Sequence, residues 1–363
     1  MQVTQMRSRH FRIPPSVPWQ DAALKVAAID FVILELETDN DLVGYGLGYT
    51  VGPGSSAIRA LLEDGCADHV IGQDPSDFRA VHQSIGHYLH RAGQGIGSCA
   101  MAAIDIALWD LVGKHRRLPL YKLIGKVRES IAAYESGIDL FLTSQQLEHE
   151  LARKKQRGAK AVKIKVGRKS LQEDIERLDA ARRVFGAESP LMLDANQCWE
   201  LNEARRRMKA FERFEPYWLE EPLNPADIAG HAELRHNSPI PIAVGEALYT
   251  ADQFLAYLRA DASDIYQPDV VRVGGITSWL KISNLCEVWG RPVAPHYMSE
   301  LSVHLLCATS NGLFVEVVNG GTFSDLGVCP ALTILDGHAF PPSVPGNGLV
   351  FDWNRLEPFE VRA

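Results

Sequence analysis

Three carboxylates follow short apolar segments at equal spacing along the sequence. Asp194, Glu220 and Glu246 lie 26 residues apart, and a helical pattern follows each of them. A short strand followed by a helix is one βα unit, and consecutive parallel units bring their carboxyl ends to the same edge. Three converging carboxylates repel one another unless a cation lies between them, and hard oxygen ligands favour Mg²⁺. The spacing therefore predicts a magnesium site.

Further polar side chains stand at the ends of the other predicted strands. They are Lys163, Lys165, Asn196, Asp269, His296 and Glu316. Because alternate residues of a strand share a face, Lys163 and Lys165 both point into the predicted barrel. Burial and mutual repulsion are expected to lower the pKa values of both amines, and a neutral lysine is a base. A carboxylate beside His296 would fix its tautomer and raise its basicity.

Short apolar runs alternate with amphipathic helical segments after residue 125. The predicted strands cover residues 130–136, 161–166, 191–194, 217–220, 242–245, 265–267, 292–294 and 313–316. A helical segment at 300–309 joins the last two of these strands. This alternation is typical of a parallel α/β barrel, which carries its catalytic groups at the carboxyl ends of the strands.

The first 124 residues predict an α+β module. Residues 27–37 and 42–49 predict two strands, and helical patterns follow from Ser55 and from Pro75. Ser98 is the predicted N-cap of an apolar helix over residues 99–114.

Loops near residues 11–19 and 49–55 are rich in Gly and Pro, and we expect them to close over the barrel. The expected domains are a cap (1–124), a barrel (125–320) and a C-terminal segment (321–363) that returns to the cap.

The composition excludes some classes of partner. The formal net charge of the 363 residues is −8, so no basic field would attract nucleic acid or an anionic membrane surface. We expect no apolar segment long enough to cross a bilayer, and the N-terminus lacks a secretory apolar region. The six cysteines include no CxxC pair, which predicts reduced thiols and a cytoplasmic protein.

Taken together, these residues resemble the enolase superfamily, and within it the mandelate racemase subgroup. The resemblance spans nearly the whole chain and rests on residues 103–114, 163–165, 194–196, 218–222, 245–246, 267–275, 295–296 and 316. Muconate-cycloisomerising and dipeptide-epimerising families carry a second catalytic lysine five residues before the paired glycines. Asp269 occupies that position here, and His296 supplies the matching imidazole, as in the mandelate racemase subgroup.

The resemblance implies an α/β fold: a modified TIM barrel of (β/α)7β type with an N-terminal α+β capping domain. It implies Mg²⁺ on the three equally spaced carboxylates and a small-molecule carboxylate substrate whose α-proton is removed to give an enediolate. Lys165 and the His296–Asp269 pair would stand on opposite faces of that substrate. Lys163 and a protonated Glu316 would stabilise the developing charge. A symmetric homo-oligomer is also implied.

The outcome of the reaction depends on what covers the barrel. Residues 82–91 contain three histidines and Arg91, which suggests recognition of a polyhydroxylated substrate or of a second carboxylate. This favours a hydro-lyase that dehydrates an acid sugar, an aldonate or aldarate, to a 2-keto-3-deoxy acid. A racemase or epimerase of a 2-hydroxy acid such as mandelate is the alternative, and it would favour an apolar lid. A non-catalytic ligand-binding barrel is the third hypothesis. The candidate substrate-binding residues are Asn196, Arg91, Tyr49 and Ser136.

Overall fold

The computed structural model describes residues 1–326, 329 and 331–362. The N-terminal strands are β1 (Val3–Ile13), β2 (Trp19–Gln20), β3 (Lys25–Val26), β4 (Ile29–Thr38) and β5 (Val43–Val51). Strands β1, β4 and β5 form an antiparallel sheet in that order, and β2 and β3 form a short hairpin. The helices that follow are α1 (Ser55–Glu63), α2 (Phe78–Leu89), α3 (Ile96–Arg116) and α4 (Leu120–Ile124).

Strand β1 was not predicted. It pairs with β4 along its length, so residues 11–13, which were expected in a covering loop, belong to the sheet instead. Arg7, Arg9 and Arg12 interrupt the apolar alternation of β1, which concealed the strand. The second expected loop is also shorter, because β5 continues to Val51 and only residues 52–54 separate it from α1.

Helix α3 packs directly on β5 because glycines remove the side chains between them. A Cβ atom at Gly46 would lie 1.9 Å from the carbonyl oxygen of Ala103, so no larger residue fits. The helix begins at Ile96, and Ser98 therefore lies inside it rather than at its N-cap. Contrary to expectation, α3 is long and apolar enough to cross a membrane, but 83% of its apolar window is buried within the protein.

The barrel is built from parallel strands that follow the cap. They are β6 (Ile131–Ser136), β7 (Val162–Lys165), β8 (Leu191–Asp194), β9 (Trp218–Glu220), β10 (Ile242–Val244), β11 (Ile265–Tyr266) and β12 (Val315–Val318). Each pairs with the next up to β11, and β12 pairs with β6 to close the ring. The strand expected at 292–294 is reduced to single bridges from Val293 to Tyr266 and Gly312.

Helices connect the strands of the barrel. They are α5 (Ser144–Gln156), α6 (Leu171–Phe185), α7 (Leu201–Phe211), α8 (Ile228–Asn237), α9 (Ala251–Arg259), α10 (Ile276–Val288) and α11 (Ser299–Cys307). Capping boxes at Thr143, Ser170 and Thr250 start α5, α6 and α9, each with Glu or Gln three residues later. These three caps fix where the loops before α5, α6 and α9 end.

The end of the barrel away from the strand carboxyl termini is filled with apolar side chains. This layer contains Tyr134, Ala161, Met192, Trp218, Ala243, Ile265 and Ala294. Leu313 and Phe314 pack against it, although they were expected to begin the last strand. Strand β12 starts at Val315 instead and ends at Val318, so Glu316 lies within the strand rather than at its end.

The C-terminal residues return to the cap. Strands β13 (Thr333–Leu335) and β14 (His338–Phe340) extend the sheet beside β6, and α12 (Trp353–Leu356) follows. The backbone N–H of Asn347 donates to Asp110 Oδ1 of α3 at 2.8 Å. Arg9 of β1 pairs with Glu360 at 2.8 Å, and Glu360 also bridges to the backbone of Phe11. The last residues thus complete the edge of the first sheet.

Candidate active site

The acidic cluster lies where β8, β9 and β10 end. Asp194 and Glu220 are the last residues of β8 and β9 and face each other in the register. Glu246 follows β10 after Gly245, whose φ is 152°. A Cβ atom at Gly245 would lie 2.5 Å from the backbone nitrogen of Gln267, so only glycine allows this approach. One oxygen from each of the three carboxylates lies within 4.8 Å of the others.

The donor set of this cluster fits Mg²⁺. Asp194 and Glu220 are fully buried, and burial together with repulsion from Asp194 raises the pKa of Glu220 to about 7. A divalent cation among these carboxylates would relieve both effects, and carboxylate oxygens are the hard ligands that Mg²⁺ prefers. Gln267 donates from Nε2 to Glu220 Oε2 at 2.7 Å and holds that carboxylate in position.

Both lysines of β7 point into the barrel and contact carboxylates. The Nζ atom of Lys163 lies 2.8 Å from Glu220 Oε2 and 2.8 Å from Glu316 Oε1, and Nζ of Lys165 lies 2.5 Å from Asp194 Oδ2. Burial alone would lower the pKa of each amine, but the facing carboxylates outweigh it and the pKa of both is raised. The expected lowering was wrong because these ion pairs outweigh the repulsion between the two amines.

Glu316 is held in its ionised form. Its Oε1 atom faces Lys163, and its Oε2 atom accepts the backbone N–H of Tyr297 at 2.9 Å. Burial opposes ionisation, but attraction by Lys163 lowers the pKa of Glu316 to about 2. The expectation of a protonated, hydrogen-bond-donating Glu316 was therefore wrong, because the ammonium group beside it favours the carboxylate.

A histidine–aspartate pair also contacts the acidic cluster. His296 Nδ1 is 2.7 Å from Asp269 Oδ2, and its Nε2 is 3.3 Å from Glu246 Oε2. Asp269 Oδ1 accepts the backbone N–H groups of Val271 and Arg272, which fixes the carboxylate. Burial lowers the pKa of His296, but Glu246 and Asp269 reverse the effect and the pKa is raised. The imidazolium form is thus favoured.

The backbone around the site adopts conformations that are rare for side-chain-bearing residues. Positive φ angles occur at Asn196 (44°), Gln197 (64°), Glu221 (40°), Tyr297 (51°) and Met298 (46°). These residues follow Asp194, Glu220 and His296 directly or within a few positions. Left-handed backbone at such residues costs about 1–3 kcal/mol each, and it persists where the surrounding structure enforces it.

A cavity of about 240 Å³ lies between the cap and the cluster. Its floor is formed by barrel residues, among them Lys163, Lys165, Glu246, His296 and Glu316. We call the cap residues that cover it the roof: Trp19, Asp21, Ala23, Leu24, Val26 and Val51. The volume is small beside the roughly 300–1,000 Å³ of pockets for drug-sized ligands, so the cavity suits a small substrate.

The four candidate substrate-binding residues occupy different places. Asn196 lines the cavity, and its backbone N–H donates to Asp194 Oδ1 at 2.9 Å. Tyr49 lies behind the cavity and donates to Asp269 Oδ2 at 2.6 Å. Ser136 is fully buried at the end of β6, and Arg91 is exposed in a 3₁₀ turn after α2; neither lines the cavity.

The histidines near Arg91 do not cover the site either. His82 lies 3.1 Å from the carbonyl oxygen of Gly274 at the contact between cap and barrel, while His87 and His90 are exposed. The argument for a polar lid was therefore wrong.

Sequence reasoning missed most of the roof. The covering hairpin starts at Trp19, where the expected loop ended, and continues through Val26. A signal was present: Asp21 is a turn-forming residue between apolar residues, and its Oδ1 atom accepts the backbone N–H groups of Ala23 and Leu24 at 2.7 Å each.

Arg272 and Gln197 were also missed at the floor of the cavity. Arg272 NH1 donates to the backbone oxygen of Glu246 at 2.9 Å, and Gln197 Nε2 donates to Glu221 Oε2 at 2.6 Å.

The fold and the site define a capped α/β-barrel enzyme that acts on carboxylates. The domain described as "Mandelate racemase / muconate lactonizing enzyme, N-terminal domain" matches residues 5–125, and "Enolase C-terminal domain-like" matches residues 146–355. The chain belongs to the enolase superfamily. The resemblance inferred from the motifs and the expected fold class are thereby confirmed.

Similar proteins share the full length of the chain. A 3,6-anhydro-alpha-L-galactonate cycloisomerase from Streptomyces coelicolor is 34% identical over 357 residues, which are 98% of each chain. A racemase from Streptomyces coelicolor A3(2), solved with bound magnesium, has a TM-score of 0.95 at 32% identity and covers 99% of this chain and 100% of its own. An L-talarate dehydratase from Polaromonas sp. JS666, complexed with Mg and L-glucarate, has a TM-score of 0.93 at 34% identity, with 99% and 98% covered.

Proposed function

We propose that this protein is a Mg²⁺-dependent hydro-lyase that removes the α-proton of a sugar acid and expels its β-hydroxyl group as water. One observation carries the proposal. Lys165 contacts Asp194 and His296 contacts Glu246, so a candidate base and a candidate acid both lie against one acidic cluster. Among the similar proteins, one is named for an anhydro-galactonate and one for talarate, and two of the similar structures contain magnesium.

Different residues around the cluster would bind the metal ion and stabilise the charge of the substrate. Asp194, Glu220 and Glu246 would hold Mg²⁺, which supplies Lewis acidity to the substrate carboxylate when it is bound. Lys163 presents an ammonium group to the same region and stabilises negative charge there. Glu316 holds this ammonium in place from the other side, and the roof limits access of water.

Two proton transfers then give the product. Lys165 acts in its neutral form, which Mg²⁺ on Asp194 would favour by offsetting the attraction that raises the pKa of this amine. Lys165 takes the α-proton at Nζ, and the electron pair of the C–H bond moves into the substrate carboxylate. His296, as imidazolium, gives its Nε2 proton to the β-hydroxyl group, the C–O bond breaks and water leaves. The electron pair forms a carbon–carbon double bond, and the resulting enol becomes a 2-keto-3-deoxy acid. Asp269 at Nδ1 stabilises the imidazolium before this step.

A racemase or epimerase of a 2-hydroxy acid is the second candidate. The same two groups would take a proton from one face and return one to the other. The apolar roof of Trp19, Leu24 and Val26 favours this candidate, because such side chains also suit a substrate with an apolar substituent. A non-catalytic barrel has no comparable support, since the metal cluster, both lysines and the histidine–aspartate pair are all present.

Proton NMR in D₂O separates these candidates. The Mg²⁺-loaded protein is incubated with a panel of sugar acids and with mandelate, and α-proton exchange and 2-keto-3-deoxy acid formation are followed. We expect keto acid formation with at least one sugar acid and its loss after EDTA treatment. Exchange with inversion and without keto acid would identify an isomerase. A metal-stripped protein that keeps full activity would refute both assignments.

The proposal is accompanied by two further expectations, on assembly and on location in the cell. We expect a homo-oligomer in the cytoplasm, and the apolar pair Val288 and Trp289, 84% and 45% exposed at the end of α10, is a suitable contact for a second copy. Analytical ultracentrifugation of the protein and of Trp289→Glu tests the assembly, and fractionation of the source cells tests the location.

A further inference from the structure

The roof of the active-site cavity is apolar apart from one acidic side chain. Trp19, Leu24, Val26 and Val51 present hydrocarbon to the space above the cluster. The neighbouring cation, Lys25, is exposed and lies outside the lining, because alternate residues of a strand point to opposite sides. Within the described part of the chain, the roof therefore offers a substrate no positive charge.

The hydrogen-bond donors nearest to the roof are already used within the protein. Trp19 Nε1 donates to the backbone oxygen of Asn319 at 2.9 Å. The hydroxyl group of Tyr297 donates to the backbone oxygen of Gly321 at 2.7 Å. A group at the far end of a substrate would thus find apolar surface in place of these donors.

Arg272 is a cation of the lining outside the two-lysine pair, but it belongs to the floor. Its NH1 atom donates to the backbone oxygen of Glu246 and lies 3.3 Å from the carboxylate of the same residue. Its guanidinium group also lies over the ring of Tyr49, at 5.8 Å from the ring centroid. These contacts hold the Arg272 guanidinium group between Glu246 of the cluster and Tyr49 of the cap.

Asp21 adds a fixed negative charge to the roof. Its Oδ1 atom accepts two backbone N–H groups of the turn that follows, so the side chain cannot turn away without breaking that turn. A substrate carboxylate near this residue would be repelled by its charge. The floor, in contrast, provides lysines and a metal cluster for one carboxylate.

We propose that the site selects sugar acids with a single carboxylate, aldonates or their anhydro forms, over the corresponding aldarates. This inference rests on the proposed function, because it assigns the substrate's reacting carboxylate to the floor. Both types of substrate occur among the similar enzymes. One is named for a galactonate derivative, which has a single carboxylate, and one was solved with the dicarboxylate L-glucarate. The expected preference in kcat/KM is at least about 100-fold, since the second carboxylate of an aldarate would meet apolar side chains and the Asp21 charge with no cation as a partner.

Matched substrate pairs test the proposal. Each pair consists of an aldonate and the aldarate that differs from it only by oxidation of the terminal CH₂OH group. Saturation-transfer NMR on the Mg²⁺-loaded protein reports binding, and α-proton exchange in the same sample reports chemistry. Preferential binding of aldonates supports the inference.

The two readouts separate the two claims. Equal or tighter binding of aldarates overturns the inference, while exchange with either member still supports the proposed function. Aldonate binding without any exchange leaves the inference standing and overturns the function. If neither member of any pair binds, both are overturned.

Two variants sharpen the result. Leu24→Arg places a cation in the roof and should raise aldarate binding at least about 10-fold while weakening that of aldonates. Leu335→Arg makes the same change on an exposed strand outside the cavity and is the matched control. Asp21→Asn keeps the turn-forming oxygen but removes the charge, and aldarate binding should again increase. If both folded roof variants bind aldarates no better than the control does, the roof does not set this preference and the proposal is wrong.

Discussion

Tyr49 of the cap donates its hydroxyl group to Asp269 Oδ2 of the barrel at 2.6 Å. The same oxygen lies 2.7 Å from His296 Nδ1, so one carboxylate atom joins the cap to the proposed acid. Burial opposes the ionisation of Asp269, but hydrogen bonding to His296 and Tyr49 lowers its pKa. Strand β5 of the cap, which carries Tyr49, is thereby a positioning element for the imidazole.

Replacing Tyr49 tests this link. Tyr49→Phe removes the hydrogen bond without removing the ring, and we expect kcat to fall about 10-fold, because a hydrogen bond to a charged group contributes about 1.5 kcal/mol. KM should change little, since Tyr49 does not line the cavity. Tyr217→Phe, at a half-exposed position before β9, is the matched control. An equal loss in both variants would contradict a positioning role.

Removing one carboxylate should abolish tight metal binding. Glu220→Gln keeps the shape of the side chain but removes one charge from the cluster, and Lys163 then faces a neutral amide. We expect a loss of Mg²⁺ affinity larger than the roughly 10–100-fold that follows loss of an outer-shell partner. Titration calorimetry measures the affinity, with Glu148→Gln on α5 as the control. Unchanged affinity in Glu220→Gln would place the metal elsewhere.

The two proton-transferring groups should fail in different ways. His296→Asn should block dehydration by at least about 100-fold, yet leave Lys165 able to exchange the α-proton of one substrate configuration with solvent deuterium. Lys165→Met should remove that exchange. Proton NMR in D₂O records both outcomes. A His296→Asn protein that still dehydrates its best substrate at the rate of the unmodified protein would contradict the assignment.

His304 should make the protein acid-sensitive. It is buried in α11, and burial lowers its pKa to about 3 from the ordinary value of 6.5. Between these pH values the unfolded chain binds a proton that the folded chain excludes, so the free energy of unfolding falls as pH decreases, by up to about 1.4 kcal/mol per pH unit. Urea unfolding at pH 7, 5.5 and 4.5 measures the slope. His304→Gln should flatten it, whereas the same change at exposed His149 should not; identical slopes in all three proteins would exclude His304 as the cause.

The acidic cluster was predictable because its geometry follows from local sequence. Each carboxylate ends a short apolar strand, and parallel pairing sets Asp194 beside Glu220. The histidine–aspartate pair could be foreseen because Asp269 and His296 match the pattern of the mandelate racemase subgroup. The protonation states could not, because they depend on how many carboxylates face each amine, and Lys163 meets three of them.

The parts that failed are those that depend on contacts between distant segments. Strand β1 is specified by its pairing with β4 rather than by its own pattern. The shift of β12 arises because Phe314 packs with Trp218 in the apolar layer of the barrel instead of starting the strand. The prediction that Arg91 binds the substrate was not met, because a polar cluster in the sequence does not indicate which way the end of its helix faces.

The closure of the cap by the last residues of the chain has a consequence for synthesis. Residues 1–116 leave the ribosome first, but the partner of Arg9 is Glu360 and the backbone of His10 accepts its hydrogen bond from Val361. At about 5–20 residues per second, on the order of 10 seconds or more pass before those partners exist. During translation the sheet edge of the nascent cap therefore remains unpaired. Such an edge is a natural target for chaperones, and it can also pair wrongly with a neighbouring chain on the same messenger RNA.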